Sequence, residues 1–151
     1  MLVGVISDTH GLLPDAVFDA FAGVAYILHA GDVGDPFLLE RLETIAPVTA
    51  VRGNTDHGEL KQRLADSELV QVAGHGVLLT HSPSGLADLG LPEGVDIVVT
   101  GHTHRASVER RGDVLYLNPG PAGAPGRDGR GPTVAVLDCS EDRPVARIVE
   151  F

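Results

Sequence analysis

Cysteine is nearly absent. Cys139 stands alone, so the chain can form no internal disulfide and no thiolate-built zinc site. Tryptophan is missing, and four Phe and two Tyr complete the aromatics, too few to stack the bases of a long single strand. Positive charge is also scarce. Lys and Arg number 11 against 21 Asp and Glu, which leaves a net charge of −10. That balance suits neither the backbone of long nucleic acid nor an anionic membrane surface, although bound divalent cations would reverse the sign locally. No stretch nears the ~18 apolar residues of a membrane span. The apolar run at 2–6 is too short, and lacks the basic lead-in, for a secretory leader. The cytoplasm is the expected compartment.

What is present reads as ordinary globular protein: 151 residues, 43% hydrophobic and 21% charged. The length suits one domain, and the span 1–151 is read as one. Strands are expected at 2–6, 26–28 and 48–51. Between them, 14–22 sets Val17, Phe18 and Phe21 on one helical face, and Asp35-Pro36 opens a second helix carrying Phe37, Leu38, Leu42 and Ile45. Strand–helix alternation of this kind implies an α/β class with a parallel sheet and right-handed crossovers. The second half is richer in hairpins. Strands at 69–72 and 77–80 flank a turn at Ala73-Gly74-His75-Gly76, and 96–100, 106–110, 114–117, 133–137 and 146–151 follow. The Gly- and Pro-rich stretch 120–132 is read as a surface loop rather than a linker.

Polar residues cluster just beyond five of the apolar runs. Asp8 and His10 follow the first, Asp32 the second, Asn54 the third, His81 the strand at 77–80, and His102 and His104 the strand at 96–100. Ligands in open α/β sheets bind at such carboxyl ends. Two Asp, one Asn and four His make an oxygen and nitrogen donor set without thiolate. It suits Mn, Mg, Fe, Ni or Zn and excludes Cu(I) and iron–sulfur chemistry. Seven donors exceed what one ion uses, whereas two ions sharing a carboxylate offer eight positions. Two dications about 4 Å apart repel by an order of 20 kcal/mol at an effective dielectric of ~20, so an anion must lie between them. Asp32 is the candidate bridge. Taken singly, an Asp or His after a strand is most often a turn, cap or surface residue; their joint recurrence at strand ends carries the reading. His29, inside an apolar strand, is read as a buried, hydrogen-bonded histidine, and His75 as a turn residue.

Asp8-Thr9-His10, Gly31-Asp32, Gly53-Asn54-Thr55-Asp56, Thr80-His81 and Gly101-His102-Thr103-His104 together resemble the motif series of the calcineurin-like metallophosphoesterases. Val51-Arg52-Gly53-Asn54 and Leu117-Asn118-Pro119-Gly120 resemble the small YfcE-type phosphodiesterase branch, and the likeness runs from Leu2 to about Arg127. The resemblance implies an αββα sandwich of two mixed parallel and antiparallel sheets. It also implies two divalent ions, with manganese expected and nickel, iron, magnesium or zinc as alternatives. One ion would take Asp8, His10, Asp32 and His104; the other would take Asp32, Asn54, His81 and His102. Asp32, Asn54 and His102 are assigned the catalytic part. The implied activity is hydrolysis of a small phosphodiester. A phosphomonoesterase and a non-catalytic protein-interaction scaffold of the same fold are the alternatives, and self-association is left open.

Two departures stand out. Much of the superfamily has His directly after Gly-Asn, where it can protonate the leaving oxygen; here the residue is Thr55, a poor acid near neutral pH. His57 is the nearby substitute, with a plain surface residue as the other reading. Pro83 follows His81-Ser82 where Gly is common. Arg127, in the loop after Asn118-Pro119-Gly120, is a candidate contact to a phosphate oxygen, or else a solvated loop Arg.

Overall fold

Strand β1 (Leu2–Ile6) is buried at every residue but its first, as a strand covered on both faces must be. The computed structural model describes residues 1–84, 86 and 90–151. After β1 come α1 (Ala16–Ala20), β2 (Tyr26–His29), α2 (Pro36–Glu43), β3 (Val48–Ala50) and α3 (Glu59–Arg63). The chain continues with β4 (Ser67–Val72), β5 (His75–Thr80), β6 (Val95–Val99), β7 (Ser107–Arg111), β8 (Val114–Asn118), β9 (Thr133–Asp138) and β10 (Val145–Glu150).

These strands form two five-stranded sheets, ordered β10-β9-β1-β2-β3 and β4-β5-β6-β8-β7. In the first, β1, β2 and β3 run parallel, and β9 is antiparallel to both β1 and β10. In the second, β5, β6 and β8 run parallel between antiparallel edges β4 and β7. The mixed two-sheet arrangement is the expected one.

Strand alternation sorts the apolar residues into two cores. Val3, Val5 and Leu28 of the first sheet pack with Val77, Leu79, Ile97, Val99, Leu115 and Leu117 of the second. Ile6, Ile27, Val134 and Val136 turn the other way, against Val17 and Phe21 near α1, Leu38 and Leu42 of α2, and Leu60 of α3. Helix α2 begins as its sequence dictates: the Asp35 side chain accepts the Phe37 N–H at 2.9 Å, with Pro36 in the first turn. Helix α1 is shorter than the expected 14–22, because Phe21 already serves as its C-cap. Helix α3 was not expected; its single buried residue, Leu60, leaves no apolar period to read.

One expectation is corrected. His75 is not in a turn. The β4–β5 hairpin closes on two residues, Ala73 and Gly74, both with positive φ, and Val72 pairs with His75. His75 thus opens β5 and is buried.

Candidate metal centre

Apart from His75, the buried polar residues gather at one end of the sandwich: Ser7, Asp8, Thr9, His29, Asp32, Asp56, His81, Asn118 and Thr133. This is the carboxyl end of the parallel strands. Asp8 and His10 lie beyond β1, Asp32 beyond β2, Asn54 beyond β3, His81 beyond β5, and His102 and His104 beyond β6.

The chain turns sharply there. Asp8, His10, Asp32, His102 and His104 all have φ between 47° and 71°, and Ala73 is the only other described non-glycine residue with positive φ. Left-handed backbone at such residues costs of order 1 kcal/mol or more each and persists only where the surroundings enforce it. Backbone hydrogen bonds do so here. Asp8 N–H donates to Gly31 O at 3.0 Å, His10 N–H to Asp32 O at 2.9 Å, and Gly101 N–H to His81 O at 2.9 Å. Two glycines permit the close approach. A Cβ on Gly53 would lie 2.1 Å from Asp32 Oδ1, and one on Gly101 would lie 2.8 Å from Asp8 Oδ2.

The side chains converge. Asp8 Oδ2 accepts the Ser7 hydroxyl at 2.8 Å and the His102 N–H at 3.1 Å. Asp8 Oδ1 is buried without a hydrogen bond and faces His104 Nε2 at 3.3 Å and His10 Nε2 at 3.9 Å. Asp32 Oδ1 accepts the Thr55 N–H at 2.9 Å. Its other oxygen stands 3.3 Å from His81 Nε2 and 3.7 Å from His10 Nε2, between the two halves of the cluster. Asn54 Oδ1 lies 2.9 Å from His81 Nε2 and 3.1 Å from His102 Nδ1. All seven residues singled out from the sequence therefore share one site. Asp8, His10 and His104 form one group that could hold a metal ion, and Asp8, Asp32 and His81 another.

The electrostatics fit a cation. His81 Nδ1 donates to Ala30 O at 2.7 Å. In the neutral ring this leaves a lone pair on Nε2, aimed at the Asp32 and Asn54 oxygens. Three acceptors then meet with no proton among them, and Asp8 Oδ1 adds an unpaired buried acceptor. Burial opposes ionisation of Asp32, but hydrogen bonds from the protonated His81 ring and from the Thr55 N–H outweigh it and hold the carboxyl well below its usual range. Burial likewise disfavours the protonated His81 ring, but the bond to Asp32 raises its pKa until a metal cation takes the place of that proton. Cys139 plays no part here. It is buried elsewhere, and burial pushes its thiol up to about 11.

Supporting residues complete the site. Asp56, quoted in the sequence motif without a role, accepts N–H groups from Gly53 at 2.9 Å, Val33 at 3.1 Å and Gly34 at 3.0 Å. It ties the loop of Asp32 to the loop of Asn54. Asn118 donates to Gly101 O at 2.9 Å and Thr103 Oγ1 at 3.1 Å, and accepts Gly120 N–H at 3.0 Å. His29 is buried and hydrogen-bonded, as expected. His57 is exposed, its Nδ1 3.2 Å from Thr55 O. Arg127 is also exposed, and its backbone N–H donates to His104 O at 2.9 Å. A cleft of about 280 Å³, lined by Asn54, His81, Thr80, Ser82 and Ser84, opens beside the ligand cluster. Among the described residues no helix is long and apolar enough to cross a membrane.

Residues 1–142 match a family described as the calcineurin-like phosphoesterase superfamily domain. A probable metallophosphoesterase of Methanothermobacter thermautotrophicus is 40% identical, over 99% of this chain and 92% of its own length. The phosphodiesterase YfcE of Escherichia coli is 32% identical, over 87% of this chain and 84% of its own. Among solved structures, an archaeal phosphodiesterase superposes with a TM-score of 0.81 at 27% identity, covering 99% of this chain and 100% of that one. Zinc-complexed Vps29 of Entamoeba histolytica superposes with a TM-score of 0.76 at 22% identity, covering 100% of this chain and 99% of that one, a likeness of fold.

Proposed function

This chain belongs to the calcineurin-like phosphoesterase superfamily, and we propose that it is a metal-dependent phosphodiesterase acting on small phosphodiesters through a dinuclear centre. The whole span 1–151 acts as one domain in this reading. Asp8, His10, Asp32 and His104 hold one ion, and Asp32, Asn54, His81 and His102 hold the other, with Asp32 shared. Manganese is the preferred metal, with nickel, iron, magnesium or zinc as alternatives from the same donor set. The observation that carries the reading is Asp8 Oδ1, buried without a hydrogen bond and faced by two imidazole nitrogens.

When bound, such ions lower the pKa of water and neutralise charge growing on phosphoryl oxygens. The remaining work falls to side chains. Asp32, with one oxygen held by the Thr55 N–H, stays ionised and ready to bridge. Asn54 contributes oxygen without charge, which limits the negative field met by an anionic substrate; a chain at −10 otherwise repels one. Asn54 and His102 are exposed and so meet the incoming ester. Arg127 is the candidate contact to a phosphate oxygen, and His57 the candidate proton donor to the leaving group where Thr55 stands in the position of the superfamily's histidine.

Bis-p-nitrophenyl phosphate tests this. Hydrolysis is expected with Mn²⁺, lost with chelator, and largely abolished by Asp32→Asn. Full turnover by demetallated protein would overturn it. A preference for p-nitrophenyl phosphate over its bis-ester would favour a phosphomonoesterase. The Thr55 hydroxyl, a poor acid where the superfamily often has His, leaves a second reading, a non-catalytic interaction scaffold of the same fold. Metal binding without hydrolysis of either ester would favour that scaffold.

A further inference from the structure

We propose that His29 is a positioning residue for the metal centre, locking the loop that carries Asp8 and His10 against the loop that carries Asp32. Of the ring's two nitrogens, Nδ1 accepts the Gly31 N–H at 3.2 Å. A backbone N–H can only donate, so Nδ1 carries no proton. The ring proton therefore sits on Nε2, which lies 3.0 Å from Thr9 Oγ1 and donates to it. The Thr9 hydroxyl in turn donates to Val33 O at 2.8 Å.

This chain of three hydrogen bonds has one direction and no spare proton. It joins Gly31, adjacent to Asp32, to Thr9, which lies between Asp8 and His10. All three of those neighbours have left-handed backbone, so each ligand's aim depends on what holds its loop. The ring is fully buried, on the face of β2 shared with Ile27 beneath the helical layer. It touches neither solvent nor, by hydrogen bond, any ligand side chain. Burial favours the neutral form and lowers its pKa to about 4, in keeping with the tautomer that the geometry requires. Partners that orient metal ligands typically matter about 10- to 100-fold in metal affinity when removed.

The inference rests on the metal-centre reading, and two measurements separate their failures. The first is calorimetric titration of metal-free protein with Mn²⁺. Wild-type protein should bind. Thr9→Val, which keeps the shape but removes the hydroxyl, should bind about tenfold or more weakly, and Thr9→Ser should recover most of the loss. His29→Gln, which keeps a donor but loses the Nδ1 acceptor, should also bind more weakly than wild type. Circular dichroism should show each variant folded. Wild-type binding with unchanged affinity in Thr9→Val would overturn the role of His29 alone; failure of wild-type protein to bind would overturn the centre and the role together. The second measurement needs no variant: long-range ¹H–¹⁵N NMR of the metal-free protein should find the His29 proton on Nε2. A proton on Nδ1 would contradict the proposal.

Discussion

His81 donates from Nδ1 to the Ala30 carbonyl at 2.7 Å, and that bond turns Nε2 toward Asp32 and Asn54. Ala30 immediately precedes the Gly31-Asp32 loop, so one hydrogen bond relates a donor from the second sheet to a donor from the first. The site thus lies across the seam between the sheets. A side chain that fills the place of His81 without both nitrogens should fail. His81→Ala is expected to reduce phosphodiester turnover by about 100-fold or more, with the loss persisting at saturating manganese; activity within a few-fold of wild type would contradict the assigned ligand.

Asp56 should matter as much for the shape of the site as for stability. Its Oδ2 accepts two backbone N–H groups, from Val33 and Gly53, and its Oδ1 accepts a third from Gly34. Asp56→Ala removes the acceptor of three donors, two of them in the interior, and is expected to cost about 1–3 kcal/mol in urea unfolding of the metal-free protein. Manganese affinity should fall as well, because both loops it joins carry proposed ligands.

Gly53→Ala places a methyl group 2.1 Å from Asp32 Oδ1 and 2.3 Å from the Asp32 backbone nitrogen. Neither neighbour is a free-swinging tip, so the loop must shift. Metal binding is expected to be lost under conditions in which the far-ultraviolet circular dichroism of the sheets is retained. Normal manganese binding by this variant would show the loop to be more forgiving than its packing suggests.

His75 offers a pH test far from the metal centre. Its Nδ1 lies 2.6 Å from Asp96 Oδ2 and its Nε2 lies 3.1 Å from Glu141 O. The hydrogen bond to Asp96 raises its pKa above the usual value, against the opposing effect of burial. A raised pKa means that the folded state holds the proton more tightly than the unfolded state. The stabilisation is therefore full below the unfolded pKa of about 6.5 and fades as pH rises through the folded value. Chemical denaturation should show wild-type protein exceeding His75→Gln by about 1 kcal/mol at pH 5.5, with the margin shrinking by pH 8.5. A margin that grows with pH would refute the pairing.

His57 can be separated from the ligands by choice of ester. A p-nitrophenolate leaving group needs little protonation, whereas an alkoxide needs much. His57→Ala should leave bis-p-nitrophenyl phosphate hydrolysis nearly intact and slow an alkyl phosphodiester by about 100-fold. Equal effects on both esters would remove His57 from the acid role.

The sequence carried the proposed ligands because each sits within a few residues of an apolar strand, and strand periodicity is a local signal. The two-sheet arrangement came through resemblance, and its parallel first half through strand–helix alternation. The supporting network was harder to read. Asp56 acts on Val33 and Gly34, more than twenty residues away, and nothing near Asp56 announces that reach. Ala73 takes a positive φ that usually falls to Gly or Asn, so the two-residue turn reads in sequence as four residues and takes in His75. The short α3 buries only Leu60, a single residue that has no period.

The most direct test is a crystal grown with manganese and measured at the manganese absorption edge. The account predicts two anomalous peaks about 4 Å apart, with an Asp32 oxygen between them. Asp8, His10 and His104 should surround one peak, and Asn54, His81 and His102 the other. A single peak, or none within reach of these side chains, would contradict it.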